Sequence, residues 1–236
     1  MRRAVILAGG KGARLAPYTT VFPKPLVPLG DTPILEIVLR QLASRGFEEV
    51  TLAVGHLAAL IEAYFGDGSQ LGLRVRYSRE TEPRGTAGPL ALVGGLDEPF
   101  LVMNGDVLTT LDYSAFLDAH IASRADATIS TFERTQVVDF GVIEADGCGT
   151  VTGYREKPQT EYLVSMGVYA FSPGVLDLLV PDEYLDIPAL VLRLMAKGQT
   201  VRSAPFRGYW LDIGRHDDFA LAQAEFAEHR EEFLGA

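Results

Sequence analysis

The chain has 236 residues, of which 47% are hydrophobic, and it carries 21 lysines and arginines against 31 aspartates and glutamates. This length suffices for one large domain with a well-developed core. The formal net charge of −10 argues against non-specific binding to nucleic acid or acidic lipid, because the field of the whole protein repels both. An anionic ligand must therefore be small and held by a local basic site.

The sequence contains one cysteine, Cys148, in the turn-like stretch DGCGT. A single thiol excludes an intramolecular disulfide and a thiolate metal cluster, and it favours a reducing compartment. The first apolar run ends at Gly9 and Gly10, which argues against a signal peptide, and no run reaches the roughly 18 apolar residues of a membrane span. We therefore expect a cytoplasmic protein with small-molecule substrates, no nucleic-acid or membrane partner, and a homo-oligomeric state left open.

Short apolar runs alternate with helical patterns up to residue 106, as in βαβ units that build a mostly parallel sheet. The pattern predicts strands over residues 3–8, 48–55, 74–79 and 99–106. It predicts a helix with Thr32 as N-cap and Pro33 in the first helical position, a second over 56–66, and a third from about Gly85 through AGPLALVGGL. The first half is therefore expected to be a layered α/β unit.

The second half is expected to be mixed. Its pattern predicts helices over residues 114–124, 185–197 and 218–233, and strands over 127–132 and 163–171. The stretch 140–158 is typical of two strands around an Asp-Gly turn. No internal repeat or long linker interrupts the chain, so we expect one domain over residues 1–236.

A glycine-rich segment, LAGGKGARLAPYT at residues 7–19, follows the first predicted strand. Lys11, Arg14 and Lys24 supply positive charge, and no carboxylate occurs before Asp31. Glycines let backbone N–H groups approach a phosphate, and these cations match a di- or triphosphate, although a plain tight turn is the alternative. The segment does not match the P-loop motif, because Gly12 and not Ser or Thr follows Lys11. It does not match the dinucleotide-binding fingerprint either, because Leu15 stands where that motif needs a small residue, which argues against a nicotinamide-dependent oxidoreductase.

Together with PKPLVPL, this segment resembles the Gly-Gly-x-Gly-Thr-Arg-Leu-x-Pro-Leu-Thr…Pro-Lys-Pro signature of the sugar-1-phosphate nucleotidyltransferases. Ala13 stands where Thr is usual and Tyr18 where Leu is usual, and neither change removes a charge. The resemblance implies a three-layer, Rossmann-like α/β fold with a mainly parallel mixed sheet and a small β-containing sugar-binding insertion. It also implies a reaction in which an NTP and a sugar 1-phosphate give an NDP-sugar and pyrophosphate.

The resemblance assigns residues to three sites within one domain, with 1–112 mainly NTP-binding and 113–236 mainly sugar-phosphate-binding and C-terminal helix. The implied NTP-binding residues are Leu7, Ala8, Gly9, Gly10, Lys11, Gly12, Ala13, Arg14, Lys24, Glu80, Gly85, Thr86, Asn104 and Gly105. The implied sugar-phosphate residues are Gly141, Glu156, Lys157 and Gly167, and the implied Mg²⁺ ligands are Asp106 in MNGD and Asp212 in YWLDIG. The catalytic set comprises Arg14, Lys24, Asp106 and Lys157.

These residues also have plainer interpretations. An aspartate after a strand is more often a turn former, a Glu-Lys pair such as Glu156 and Lys157 is usually solvated, and Gly167 fits a bulge. A non-catalytic nucleotide-sugar-binding regulatory protein is the alternative from another class. The chain retains every charged position of the motifs, which favours the enzyme.

The choice of nucleobase rests on GTAGPLAL at residues 85–92, which resembles the mannose-1-phosphate guanylyltransferases more than the thymidylyltransferases. Glu80 or Glu82 could accept hydrogen bonds from guanine, although both could be solvated loop charges. We therefore expect GTP with mannose 1-phosphate or another manno-configured sugar such as a heptose. A thymidylyl- or uridylyltransferase acting on glucose 1-phosphate or another sugar 1-phosphate is the alternative.

Overall fold

The structure is a computed structural model that describes residues 1–234. Its strands are β1 (Arg3–Leu7), β2 (Pro28–Leu29), β3 (Thr32–Pro33), β4 (Glu49–Val54), β5 (Arg74–Arg79), β6 (Phe100–Asn104), β7 (Val107–Thr109), β8 (Ala127–Val137), β9 (Val142–Ala145), β10 (Val151–Arg155), β11 (Gln159–Phe171), β12 (Val201–Phe206) and β13 (Trp210–Asp212). Its α-helices are α1 (Ile34–Ser44), α2 (Ala58–Phe65), α3 (Tyr113–Ser123), α4 (Ile187–Ala196), α5 (His216–Glu228) and α6 (Arg230–Leu234).

Seven strands form the main sheet in the order β12-β8-β11-β6-β1-β4-β5. Strand β11 is antiparallel to both of its neighbours, whereas β5, β4, β1 and β6 are parallel to one another and β12 is parallel to β8. The mainly parallel mixed sheet is therefore confirmed. Its two edges are β5 and β12.

Two apolar layers cover the sheet, because alternate strand residues point to opposite faces. In β1, Ala4 and Ile6 pack with the buried faces of α1, α2 and α3, whereas Val5 packs with α4 on the other side. The three-layer α/β prediction is confirmed. Among residues 1–234, no helix combines the length and apolar character that crossing a membrane requires.

A hairpin arm extends from the sheet between its two longest strands. Strands β9 and β10 pair antiparallel, and the Asp146 carboxylate accepts hydrogen bonds from the backbone N–H groups of Cys148 and Thr150 in the turn that joins them. The two strands predicted around an Asp-Gly turn at 140–158 are therefore present, and the arm corresponds to the small β-containing insertion that the resemblance implies.

A second small sheet and the C-terminal helices pack beside the main sheet. Strand β13 pairs with β7, and a third apolar cluster joins Leu15, Leu29, Leu211 and Phe226 from distant parts of the chain. The Gln223 side chain on α5 accepts from the N–H of Gly30 at 2.7 Å and donates to the carbonyl of Pro28 at 2.9 Å. The C-terminal helices thereby support the segment that follows the glycine-rich loop.

Several predicted elements differ in the structure. Helix α1 begins at Ile34, because Thr32 and Pro33 pair as β3 with β2 and Pro33 has an extended ψ of 143°. The helix predicted through AGPLALVGGL is a short 3-10 helix, Gly88–Leu92, since Pro89 lacks an N–H and glycine is a poor helix former. The predicted helix over 218–233 is two helices that meet at His229.

Candidate active site

A cleft of about 680 Å³ opens at the carboxyl edge of the parallel strands. Backbone hydrogen bonds hold the strand ends together, from Ala8 N to Ala53 O at 2.8 Å and from Gly105 N to Leu7 O at 3.0 Å. Open α/β sheets bind ligands at this edge. The cleft is lined by nine residues of the predicted set: Leu7, Gly9, Gly10, Lys11, Glu80, Gly85, Thr86, Asn104 and Asp106.

The glycines of the first loop let its backbone approach its neighbours closely. A Cβ on Gly9 would lie 2.7 Å from Glu80 Oε1, and one on Gly55 would lie 3.1 Å from the Gly9 carbonyl oxygen. Gly12 has a φ of +62°, and a Cβ there would lie 2.9 Å from Lys24 Cβ. The loop therefore packs closely against the Glu80 and Lys24 side chains.

The cations of this loop lie at different places. Lys11 is exposed and lines the cleft. Arg14 lies in a short 3-10 helix, Ala13–Leu15, and a Cβ on Gly214 would lie 3.4 Å from its guanidinium nitrogens. Arg14 thus lies beside the segment that follows Asp212.

Two carboxylates come together because β7 and β13 pair. Asp212 lies opposite Val107 in the register, and the N–H of Ile213 donates to the carbonyl of Asp106 at 3.0 Å. Burial raises the pKa of Asp212, and the charge of Asp106 adds to this effect, whereas Lys24 and Arg14 oppose it. The buried Lys24 forms an ion pair with Asp106.

These carboxylates fit a hard divalent cation. Mg²⁺ is bound in proteins by one or two carboxylates, and substrate phosphates and waters fill the other positions. Asp106 and Asp212 supply such a pair, and the negative charge that raises the Asp212 pKa is the charge that a cation would offset. The part of the chain that the structure describes contains no group of three or more candidate ligands, so substrate oxygens would have to complete the coordination.

Glu80 is half-buried and lines the cleft. Its carboxylate accepts a hydrogen bond from the backbone N–H of Arg84 at 2.9 Å. Burial raises the pKa of Glu80, and this hydrogen bond partly opposes the shift. Glu82 also lines the cleft and is exposed.

Three of the predicted sugar-phosphate residues lie in or near the hairpin arm, and the fourth, Gly167, lies in β11 of the main sheet. A Cβ on Gly141 would lie 3.1 Å from Glu156 Oε2, and Tyr154 donates to the same oxygen at 3.0 Å. Lys157 is exposed with a φ of 43°. Gly167, with a φ of +74°, packs against Asn104, since a Cβ there would lie 2.6 Å from the amide nitrogen.

The structure therefore brings the NTP-binding set, Asp106 and Asp212 close together, and it links Gly167 to that set through Asn104. Within the described residues, Gly141, Glu156 and Lys157 form a separate group that does not line the cleft. Sequence reasoning did not assign His56, Tyr184 or Asp186 to the site, although all three line the cleft. His56 follows a predicted strand, which is a usable signal, whereas the segment with Tyr184 and Asp186 matches no motif.

The chain matches the family described as "Nucleotidyl transferase" over residues 3–229. It is 35% identical over 229 residues to a mannose-1-phosphate guanylyltransferase of Mycobacterium tuberculosis, and the aligned region covers 94% of this chain and 64% of the relative. It is 32% identical to a UTP–glucose-1-phosphate uridylyltransferase of a Synechocystis species, over 92% of this chain and 61% of the relative.

A structure of HddC from Yersinia pseudotuberculosis complexed with GMP-PN matches with a TM-score of 0.73 and 25% identity, covering 96% of this chain and all of the other. The chain spans less than two thirds of the length of the Mycobacterium tuberculosis and Synechocystis relatives. The family match covers nearly the whole chain, and its fold and cleft agree with the motif-based expectation. The chain belongs to the nucleotidyl transferase family.

Proposed function

We propose that the protein transfers a nucleotidyl group from an NTP to a sugar 1-phosphate and releases pyrophosphate. The observation that carries this proposal is the ion-paired Lys24 and Asp106 beside Asp212, at the rim of a cleft lined by a glycine-rich loop. This arrangement places cations for a triphosphate next to carboxylates for a metal. A regulatory protein that only binds nucleotide sugars would not need to keep this ion pair beside Asp212.

The residues have distinct roles in this reaction. The backbone of residues 9–13 with Lys11, Arg14 and Lys24 holds the triphosphate, because N–H groups and cations offset its charge. Asp106 and Asp212 hold Mg²⁺, which when bound supplies Lewis-acid stabilisation of phosphate charge. Lys157 and Glu156 bind the phosphate and hydroxyl groups of the sugar phosphate, with backbone at Gly141 and Gly167 close to the sugar.

Catalysis then depends on positioning and charge. A phosphate oxygen of the sugar 1-phosphate attacks the α-phosphorus of the NTP, the bond to the β-phosphate oxygen breaks, and pyrophosphate leaves. The attacking oxygen is already anionic, so the reaction requires no covalent residue and no general base. The protein holds the two substrates in line and offsets repulsion between their phosphates.

Residues 1–112 would form mainly the NTP site and residues 113–236 mainly the sugar-phosphate site. Lys157 and Glu156 lie outside the cleft on the hairpin arm, so productive binding requires the arm and its substrate to approach Asp106. We place the reaction in the cytoplasm, in agreement with the exposed and unpaired Cys148. Assembly of several copies of this chain into a homo-oligomer is compatible with nucleotidyl transfer.

We propose GTP as the nucleotide and mannose 1-phosphate, or another manno-configured sugar 1-phosphate, as its partner. Support comes from the half-buried Glu80 and exposed Glu82 in the cleft, whose carboxylates suit the N1–H and amino donors of guanine. The name of the Mycobacterium tuberculosis relative agrees with this choice. The Synechocystis relative supports the alternative, uridylyl transfer to glucose 1-phosphate.

A panel of GTP, UTP, dTTP and ATP against mannose, glucose and heptose 1-phosphates tests the assignment by pyrophosphate release. The half-buried Glu80 carboxylate would lose its partners with a base that lacks the guanine donors, so GTP should exceed UTP and dTTP by at least about tenfold in kcat/KM. A preference for UTP or dTTP would overturn the guanylyl assignment and leave nucleotidyl transfer standing. No pyrophosphate release with any pair would overturn both.

A further inference from the structure

The segment at residues 182–187, before α4, holds the backbone of the turn at residues 84–88 by direct contacts. The N–H groups of Ala87 and Gly88 donate to the carbonyl of Leu185 at 2.8 and 3.0 Å, and the N–H of Leu185 donates to the carbonyl of Arg84 at 3.0 Å. The Arg84 guanidinium forms an ion pair with Asp182 at 2.5 Å. The turn that lines the nucleotide cleft is therefore held by a segment about 100 residues away in sequence.

Asp186 is central to this contact. Its Oδ1 accepts from the N–H of Thr86 at 3.0 Å and from the Thr86 hydroxyl at 3.3 Å, while the N–H of Ile187 donates to the Thr86 hydroxyl oxygen at 2.8 Å. Gly85 has a φ of +77°, and a Cβ there would lie 2.8 Å from Asp186 Oδ1. The Asp186 carboxylate thus fixes the position of Gly85 and Thr86 relative to the cleft.

Tyr184 connects the same carboxylate to the open side of the cleft. Its hydroxyl donates to Asp186 Oδ2 at 3.3 Å, and its side chain lines the cleft. The residue is 63% exposed, so burial in the protein core does not explain the placement of its ring. An exposed aromatic ring held at the rim of a nucleotide cleft is a surface on which a base can stack.

On the basis of the proposed function, we propose that Tyr184 and Asp186 complete the nucleobase site. Tyr184 contacts the base of the bound nucleotide with its ring. Asp186 is a positioning residue that holds Tyr184 on one side and the Gly85–Thr86 backbone on the other. Stacking tolerates any base, so Tyr184 contributes affinity for all nucleotides, whereas base choice belongs to the turn.

The test compares binding of GTP, UTP and inorganic triphosphate by calorimetry, because inorganic triphosphate has no base. Tyr184→Ala should raise the Kd of whichever nucleotide the wild type binds by at least about fivefold and leave the Kd of triphosphate within about twofold. Tyr184→Phe keeps the ring and should retain most of the nucleotide affinity. Tyr64→Ala is the matched control, since Tyr64 is 45% exposed and its hydroxyl also donates to a carboxylate, on Glu36.

Two substitutions test Asp186, and one of them is conservative. Asp186→Asn keeps an acceptor for Thr86 and should bind nucleotide nearly as the wild type does, whereas Asp186→Ala should lose nucleotide affinity and keep triphosphate affinity. If the wild type binds nucleotide and the Tyr184→Ala and Tyr64→Ala variants bind it with equal affinity, the inference is overturned. A wild type that binds no nucleotide would overturn the proposed function itself, and the inference with it.

Discussion

Replacing Lys24 with methionine isolates the charge at the centre of the candidate site, because methionine keeps an unbranched side chain of similar reach. The Lys24 and Asp106 side chains are 10% and 22% exposed. Two unit charges at about 4 Å attract by about 4 kcal/mol at an effective dielectric constant of about 20. The desolvation cost reduces the net value of such a charged hydrogen bond to about 1.5–3 kcal/mol.

We therefore expect Lys24→Met to lower the free energy of unfolding by about 2–3 kcal/mol in metal-free buffer. Because Asp106 and Asp212 then face each other without the ammonium, Mg²⁺ should stabilise the variant more than the wild type. Denaturant unfolding with and without Mg²⁺ measures both effects. Arg40→Met is the control, since Arg40 is 48% exposed in its pair with Glu36 and such surface pairs contribute less than about 1 kcal/mol.

If Lys24→Met costs no more stability than Arg40→Met, the pair contributes no more than a surface ion pair. If Mg²⁺ stabilises both proteins equally, Lys24 and the metal do not compete for Asp106. The double variant with Asp106→Asn provides a further check, because it removes the unpaired charge and should recover part of the lost stability.

Asp212→Asn should lower turnover at least about 100-fold, the order seen when one electrostatic stabiliser is removed, and EDTA should abolish activity. Lys157→Met should raise the KM for the sugar 1-phosphate far more than the KM for the NTP, since one substrate loses its cation. Gly85→Ala should lower the free energy of unfolding by about 1–2 kcal/mol through its left-handed φ alone, and it should raise the KM for the NTP, because the new Cβ would lie 2.5 Å from the Leu185 carbonyl oxygen. Burial lowers the pKa of His120 below its ordinary 6.5. The contribution of the neutral His120 to the free energy of unfolding should therefore be fully present above pH 6.5 and decrease as the pH falls below it. His120→Gln should flatten this pH dependence in unfolding experiments.

Full activity in EDTA would remove Asp212 from a metal site, and equal rises in the two KM values would remove Lys157 from the sugar phosphate. Wild-type stability and kinetics in Gly85→Ala would show that the turn is not held as described. A wild type and a His120→Gln variant with the same pH profile would assign any acid instability to other groups.

The parallel part of the fold could be predicted from sequence because strands buried on both faces produce short continuous apolar runs. Strand β12 was missed because its sequence, VRSAPF, contains an arginine, a serine and a proline in an edge position with weak alternation. The helix predicted from Gly85 is a short 3-10 helix because Pro89 and the neighbouring glycines disfavour an α-helix. The hydrogen bonds from the N–H groups of Ala87 and Gly88 to the Leu185 carbonyl could not be predicted, because no local pattern reports that partner.

Part of the candidate site could likewise be predicted from sequence, and part depends on tertiary contacts. The glycine-rich loop, Lys24 and Asp106 were predictable because they follow strands whose carboxyl ends meet at one edge. The proximity of Asp212 to Asp106 depends on pairing of β7 with β13 across about 100 residues, which the resemblance implied and periodicity did not. The residues Tyr184 and Asp186 reach the cleft through contacts with Thr86, which sequence spacing does not record.

The two open edges of the main sheet limit how copies of this chain can associate. Strand β5 carries Arg74, Arg76 and Arg79, whose side chains are 64%, 60% and 61% exposed, and β12 contains Pro205, which has no N–H to donate. Charged side chains and proline on an edge discourage another strand from adding to it. Self-assembly of this chain should therefore use helix or loop surfaces and not a sheet continued from one molecule into the next, and the same edge chemistry protects the chain from fibrous aggregation at high concentration.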